Sequence, residues 1–298
     1  MSKTHDLVVI GTGITGLSAA RQALESGLST VTLEGLIYGG LVTNINELDG
    51  EIQGSGIDVA ASIMMKVRKL GGEHLAASAT SIAVEGEGIV VHSDAGAHRA
   101  SAVIIASGAR LRRLGVPGES EFEDKGVSHC ADCDGPYYQD RDVVVVGGGD
   151  SALQEALVLS EYANRVHLVH RGENFRARRQ FADRIAGHSN ISVHWRTRVE
   201  AVLGGESVQA VRVRRLDSEA VDEIACAGFF AYVGLEPACG FVPDAVLRDL
   251  DGSLLTDAGL RTAMPGVFAA GAVRSGYGGL LADAVAEGTA AAKSALAL

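Results

Sequence analysis

Leu7-Val8-Val9-Ile10-Gly11-Thr12-Gly13-Ile14-Thr15-Gly16 is the stretch on which the fold turns. Four consecutive apolar residues suit a strand buried on both faces. A Gly-x-Gly-x-x-Gly turn follows at Gly11, Gly13 and Gly16, and Leu17–Ser26 then carries helical spacing with good helix formers until Gly27. Thr30–Leu33 is the next strand, ending at Glu34, so the whole reads as a βαβ unit. The glycines allow a tight turn and close approach of a pyrophosphate. The helix start offers it unpaired N–H groups and partial positive charge. Glu34, eighteen residues after Gly16, is placed to accept from a ribose hydroxyl. An ordinary glycine turn is the competing reading, and it explains neither the strand, nor the helix, nor the acid in register.

The pattern repeats once. Val143–Val146 leads into Gly147-x-Gly149 with Asp150, Ser151 and Ala152, then a helix over Ser151–Tyr162 and a strand over Arg165–Val169. This second strand ends in His170-Arg171 instead of an acid, and Arg176, Arg178 and Arg179 follow. In a chain of net charge −11 that is a local cationic island. It suits the 2′-phosphate of NADP(H) over NAD(H). The alternative for the arginines is a solvated helix start.

Between the repeats lies Cys130-Ala131-Asp132-Cys133-Asp134-Gly135. A structural zinc site would require a second close pair of ligands, and Cys226 and Cys239 form no such pair. A redox dithiol fits better, because a helix-type turn brings the two sulfurs within bonding reach. Asp134 is a candidate proton donor or acceptor for thiol–disulfide turnover, or simply a turn residue before Gly135. His129 packs or meets solvent, and Cys226 and Cys239 read as buried apolar residues. No metal is expected. Two dinucleotide sites bracketing a dithiol read as an electron path: nicotinamide, flavin, disulfide.

Composition agrees with this reading. The 298 residues are enough for two domains, and 47% hydrophobic content with 5% aromatics and 38 glycines suits parallel strands with closely packed helices. The negative net charge disfavours nucleic acid and anionic membrane surfaces. No signal-peptide pattern or span-length apolar run is evident, so a soluble cytoplasmic protein is expected. Elsewhere, residues 35–56 read as a loop and Ile57–Leu70 as a helix. Ile89–His92, Ala102–Ile105, Ile191–His194, Val208–Arg214, Ala225–Tyr232 and Gly266–Gly271 read as strands, and a helix runs from about Ala282.

Over nearly its whole length the chain resembles the low-molecular-weight thioredoxin reductases. The landmarks are Gly11–Gly16, Gly39-Gly40, Ala106–Ala109, Leu114–Gly118, Cys130–Gly135, Gly147–Ala152, His170-Arg171 with Phe175-Arg176, and Gly266–Gly271. The resemblance implies an α/β fold of two doubly wound, Rossmann-like nucleotide-binding domains, the second inserted into the first. Residues 1–113 and 241–298 would bind FAD, and residues 114–240 would bind NADPH and carry the dithiol. FAD would lie against Gly11, Gly13, Ile14, Gly16, Glu34, Gly40, Ala106, Gly271 and Ala272. NADPH would lie against Gly147, Gly149, Asp150, Ser151, Ala152, His170, Arg171 and Arg176. Cys133 would face the flavin, Cys130 would exchange with an external disulfide, and Asp134 would supply the proton. The partner would be a thioredoxin-like protein or a small-molecule disulfide, and the protein a homodimer. The inserted domain would rotate about hinges near Leu114–Gly118 and Gly234–Gly240.

Several departures fall around one ring system. The family's Gly-Asp is Gly271-Ala272, its flavin-contacting Arg-Gln is Gly279-Leu280, and its glutamine after Gly39-Gly40 is Leu41. The usual Asn-Phe/Tyr-Pro-Gly segment is absent around Asp49-Gly50-Glu51, and one arginine is missing after Arg171. Two alternatives to a reductase follow from them. One is an FAD-dependent dithiol oxidase using oxygen with little NADPH, and the other is a nucleotide-binding subunit of a larger complex.

Overall fold

Val8 and Ile10 point to one side of a sheet and Leu7 and Val9 to the other, and both sides are buried. That is why the run is apolar without alternation. The computed structural model describes residues 3–45, 48, 54–86 and 88–298, so the Asp49-Gly50-Glu51 segment lies outside the described residues. The chain divides into two compact units, one of residues 1–110 and 236–298 and one of residues 111–235.

The first unit contains β1 (Lys3–Ile10), α1 (Ile14–Glu25), β2 (Thr30–Glu34), α2 (Gly56–Lys69), β3 (Glu73–Ala76), β4 (Ala79–Glu85), β5 (Gly88–Ser93) and β6 (Gly96–Ile105). A short strand β7 (Ala109–Leu111) then leads out of it. The second unit holds β8 (Val127–Ser128), α3 (Ala131–Asp134), β9 (Asp142–Gly147), α4 (Asp150–Leu159), β10 (Arg165–Val169), α5 (Arg179–Gly187) and β11 (Ile191–His194). It continues with β12 (Thr197–Gly204), β13 (Val208–Arg215), β14 (Val221–Ala225) and β15 (Gly228–Tyr232). The chain returns through β16 (Leu235–Pro237), which pairs with β7, to β17 (Val267–Ala269) and α6 (Leu281–Ala295) of the first unit.

In the first unit the sheet order is β3-β2-β1-β6, all parallel. The long β6 shares its far side between antiparallel β5 and parallel β17. One face packs on Ala19, Ala20 and Ala23 of α1 and Ala291, Ala292 and Ala295 of α6. Alanines bring these helices close: a Cβ on Gly288 of α6 would overlap the Thr15 carbonyl of α1. The second unit has a parallel five-stranded sheet, β11-β10-β9-β15-β8. Helices α4 and α5 cover one face, and Val199, Val202, Val208, Val211 and Val213 of the antiparallel β12-β13-β14 sheet cover the other. The architecture is thus two α/β, Rossmann-like domains.

Local differences from the sequence reading have physical reasons. Helix α1 starts at Ile14, inside the glycine motif, because Gly13 takes the extended N-cap conformation there. The apolar run Ala225–Tyr232 is two strands, since Cys226-Ala227 carries the chain from the antiparallel sheet to the parallel one. Helix α5 was hidden by its arginines and is held by Phe181 and Ile185, one turn apart. The Leu114–Gly118 turn is pinned within the second unit. The buried Glu119 carboxylate accepts from the N–H groups of Leu114 (3.0 Å) and Gly115 (2.7 Å).

Gly288→Ala is expected to destabilise the protein by about 1–3 kcal/mol, because backbone of α1 must move to admit the methyl group. A thermal melt indistinguishable from that of the unmutated protein would contradict this packing.

Candidate active site

At the first glycine turn, backbone meets backbone. A Cβ on Gly11, whose φ is +97°, would overlap the Ala106 carbonyl, and one on Gly16 would overlap that of Gly11. Ala106 N–H donates to Ile10 O at 2.8 Å, so the ends of β1 and β6 stand side by side at the point where the strand order reverses. Ligands of open α/β sheets bind at such a point. No side chain caps α1, which leaves its first N–H groups for a ligand. Gly39 N–H donates to Thr12 O (2.7 Å), and Gly40, at φ +63°, lies against Gly13. Glu34 Oε2 accepts from Thr12 N–H at 3.0 Å, fixing the acid beside the turn. Ile14 faces the core, so only its backbone is open to the turn. Gly271 packs on the Thr15 side chain. The structure therefore brings Gly11, Gly13, Gly16, Glu34, Gly40, Ala106 and Gly271 together, with Ala272 next in chain. Ser107 Oγ, buried there with no hydrogen-bond partner among the described residues, is a polar group left for a ligand.

The segment where the resemblance fails has its own brace. Glu287 of α6 accepts from Gly271 N–H (2.7 Å) and from Arg274 Nε (2.8 Å), and Arg274 Nη2 completes the pair. Tyr277 donates to Leu280 O (2.8 Å), and burial together with Asp283 and Glu287 pushes its hydroxyl up to about 12.

The second glycine turn repeats the first. A Cβ on Gly147 would overlap the Tyr232 carbonyl, and Gly149 is the N-cap of α4 with no side-chain cap. Ala152 is small because it lies directly against Gly147. The loop after β10 folds over the turn. Arg176 N–H donates to Gly148 O (2.7 Å), and Arg178 holds the Asp150 carboxylate through its own N–H and Nε, both at 2.7 Å. Arg179 pairs with Asp183 along α5. Arg171 and Arg176 are exposed and make no ion pair among the described residues. Ser151 is exposed at the helix start. His170 is buried under Gly148, its Nε2 at 3.0 Å from Asn174 O, and burial holds its pKa below the usual imidazole value. The cationic charge at neutral pH therefore comes from the two arginines. Phe175 and Trp195, ring centroids 4.4 Å apart, pack beside His170.

The dithiol occupies a turn in the same unit. Cys130 and Cys133 form a disulfide with Cα atoms 5.3 Å apart. Cys130 is the N-cap of α3, and its Sγ accepts from Cys133 N–H at 3.2 Å. Asp134 is held by the Ser128 hydroxyl, which donates to Oδ2 at 2.6 Å and accepts from Cys130 N–H at 3.2 Å. His129 turns to Glu123 (2.8 Å), which also meets Arg113 (2.7 Å). Among the described residues no group of three or more His, Cys, Asp or Glu is placed to hold a metal ion, and no helix is long and apolar enough to cross a membrane.

Ser128, Ser107, Trp195, Glu155 and Tyr232 escaped the sequence reading. Only Glu155 left a usable signal, as an acid among Ala152, Ala156 and Leu159 on the buried side of α4.

The pyridine nucleotide-disulphide oxidoreductase family matches residues 5–288. The chain belongs to that family. The thioredoxin reductase of Treponema pallidum is 36% identical, with 99% of this chain and 97% of the relative covered. The thioredoxin reductase structure from Lactococcus lactis superposes with a TM-score of 0.92 at 33% identity, with 98% of each chain covered. That from T. acidophilum gives 0.91 at 30% identity, with 99% of each covered. With the Cys130–Cys133 disulfide, these matches make the chain a flavoprotein disulfide reductase of the low-molecular-weight thioredoxin reductase-like type, using a flavin and a pyridine nucleotide.

Burial, with Asp142 nearby, pushes the Cys226 thiol up to about 12, and the buried Cys239 donates to Gly252 O at 3.4 Å. After gentle reduction, iodoacetamide at pH 8 is expected to label Cys130 and Cys133 and spare the other two until the protein unfolds. Native labelling of Cys226 or Cys239 would contradict their burial.

Proposed function

We propose that the chain reduces a thioredoxin-like protein, or a small-molecule disulfide, with NADPH as donor and FAD as its flavin. The observation that carries this reading is the Cys130–Cys133 disulfide, set beside Asp134 in the unit that also holds the second glycine turn. The balanced reaction is NADPH + H⁺ + substrate disulfide → NADP⁺ + substrate dithiol. Bound FAD would supply the two-electron relay between nicotinamide and disulfide.

The first glycine turn would hold the FAD pyrophosphate on the α1 N–H groups, with Glu34 at the ribose and Ser107 Oγ as a further polar contact. Toward the ring, Ala272, Gly279 and Leu280 bring no polar side chain, so contacts there fall to backbone. The second turn would hold NADPH, with Arg171 and Arg176 at the 2′-phosphate. Their freedom from ion pairs supports that role, while Arg178 and Arg179 are engaged within the protein. An oxidase that ignores NADPH leaves this pair without a purpose.

In the reduced enzyme Cys130 would attack the substrate disulfide. The Cys133 N–H that its sulfur accepts, at the start of α3, stabilises a thiolate. Cys133 would then attack Cys130 in the mixed disulfide, releasing the second substrate thiol and restoring Cys130–Cys133. Asp134, oriented by Ser128, would pass a proton to the leaving thiolate.

Cys130→Ser is expected to abolish reduction of thioredoxin or of an aromatic disulfide while leaving anaerobic bleaching of the flavin by NADPH intact. Cys133→Ser should also stop turnover. Full disulfide reductase activity in either variant would overturn the reading.

Arg171→Ala with Arg176→Ala is expected to raise KM for NADPH at least tenfold more than KM for NADH. Two charge-assisted contacts at about 1.5–3 kcal/mol each account for that much or more. Because Trp195 is the one tryptophan in the sequence, its fluorescence gives a second readout, with 2′,5′-ADP as titrant. Equal use of NADH and NADPH by the unmutated protein would contradict the role given to the arginines.

A further inference from the structure

Glu155 lies in the middle of α4, the helix whose first residue, Asp150, belongs to the second glycine turn. Its carboxylate reaches away from that turn to the redox turn. Oε2 accepts from Ala131 N–H at 3.0 Å and from the Tyr232 hydroxyl at 3.2 Å. Ala131 follows Cys130 directly and opens α3, and Tyr232 ends β15 and is buried. One oxygen thus ties α3, α4 and β15 together behind the disulfide.

The buried face of α4 is packed by apolar side chains. Beta strands β9 and β10 contribute Val143, Val145, Val166 and Leu168, and α5 contributes Phe181 and Ile185. The charged group acting on Glu155 is Asp132, from α3. Burial pushes the Glu155 carboxyl above its usual range; the Ala131 N–H pulls it down, Asp132 adds to the rise, and the Tyr232 hydroxyl pulls it down.

We propose that Glu155 is a positioning residue of the redox turn, holding the Ala131 end of α3 and keeping the Cys130–Cys133 pair reducing through its negative charge. A carboxylate beside the turn disfavours a thiolate on either sulfur. The dithiol is then less stable relative to the disulfide, and its electrons are released more readily to a substrate. This inference rests on the reading of Cys130–Cys133 as the redox group.

The test is the equilibrium of the holoenzyme with glutathione: Cys130–Cys133 disulfide + 2 GSH → dithiol + GSSG. The two glutathione thiols supply two electrons and two protons, and alkylation counts the dithiol formed. Glu155→Gln keeps an oxygen acceptor for Ala131 N–H and Tyr232 and removes only the charge. At pH 8 the equilibrium constant for dithiol formation is expected to rise roughly three- to tenfold in this variant. The charge is present above the Glu155 pKa and is lost as pH falls through it. The difference between the two proteins should therefore close on acidification, at a pH above the ordinary carboxylate range.

A folded Glu155→Gln protein within twofold of the unmutated one at pH 8, or a difference that does not change with pH, would overturn the proposal. Tyr232→Phe provides a second check that does not need the first variant to fold. Losing the hydroxyl donor raises the Glu155 pKa, so the pH at which the equilibrium changes should move upward. An unmoved profile would count against the proposal. If the unmutated disulfide does not exchange with glutathione at all, the assignment of the redox group fails, and this inference with it.

Discussion

No carbon atom fits at Gly11, Gly16 or Gly147, and the rest of the molecule depends on that constraint. At each position a Cβ would occupy the place of a carbonyl oxygen, that of Ala106, Gly11 or Tyr232. Only with hydrogen there can a strand end, a neighbouring strand end and a helix start meet at one point. The meeting leaves the first turns of α1 and α4 without side-chain caps. The polar backbone groups that capping would have satisfied remain available for a phosphate. The same close approach dictates the small residues behind it: Ala152 against Gly147, and Gly288 with its alanine neighbours where α6 lies on α1.

In the second unit, one helix connects the two halves of the chemistry. The start of α4 forms the second glycine turn, and its middle, through Glu155, reaches the backbone of the redox turn. The two turns are separate in sequence and share a scaffold in space. Charge is distributed with the same economy. Asp150 would repel a pyrophosphate at its own helix start, and Arg178 engages it on both oxygens. Arg171 and Arg176 stay exposed, with no ion pair among the described residues.

In the first unit, Ala272, Gly279 and Leu280 depart from the family pattern on a segment that is nonetheless well braced. Ala272 has no carboxylate, but Glu287 ties Gly271 N–H and Arg274 to α6, and the Tyr277 hydroxyl closes on Leu280 O. These bonds are internal to the segment. Its conformation is therefore secured by contacts of its own residues with one another.

The sequence by itself determined the two βαβ units, the acid at the end of β2, the basic end of β10 and the dithiol. Each is a local pattern whose physical cause spans a few residues: apolar runs for buried strands, glycines for tight turns, cysteines one helical turn apart. It also carried the family resemblance that the comparisons bear out. Only the tertiary structure decided which of four arginines are free, because that depends on Asp150 and Asp183 answering two of them. It alone split Ala225–Tyr232 between two sheets, since an apolar run does not record which sheet buries it. It alone joined Ser128 to Asp134 and Glu155 to Ala131. Such contacts are single hydrogen bonds between elements, set by how helices and strands pack, and they leave no periodicity or spacing in the chain to be read.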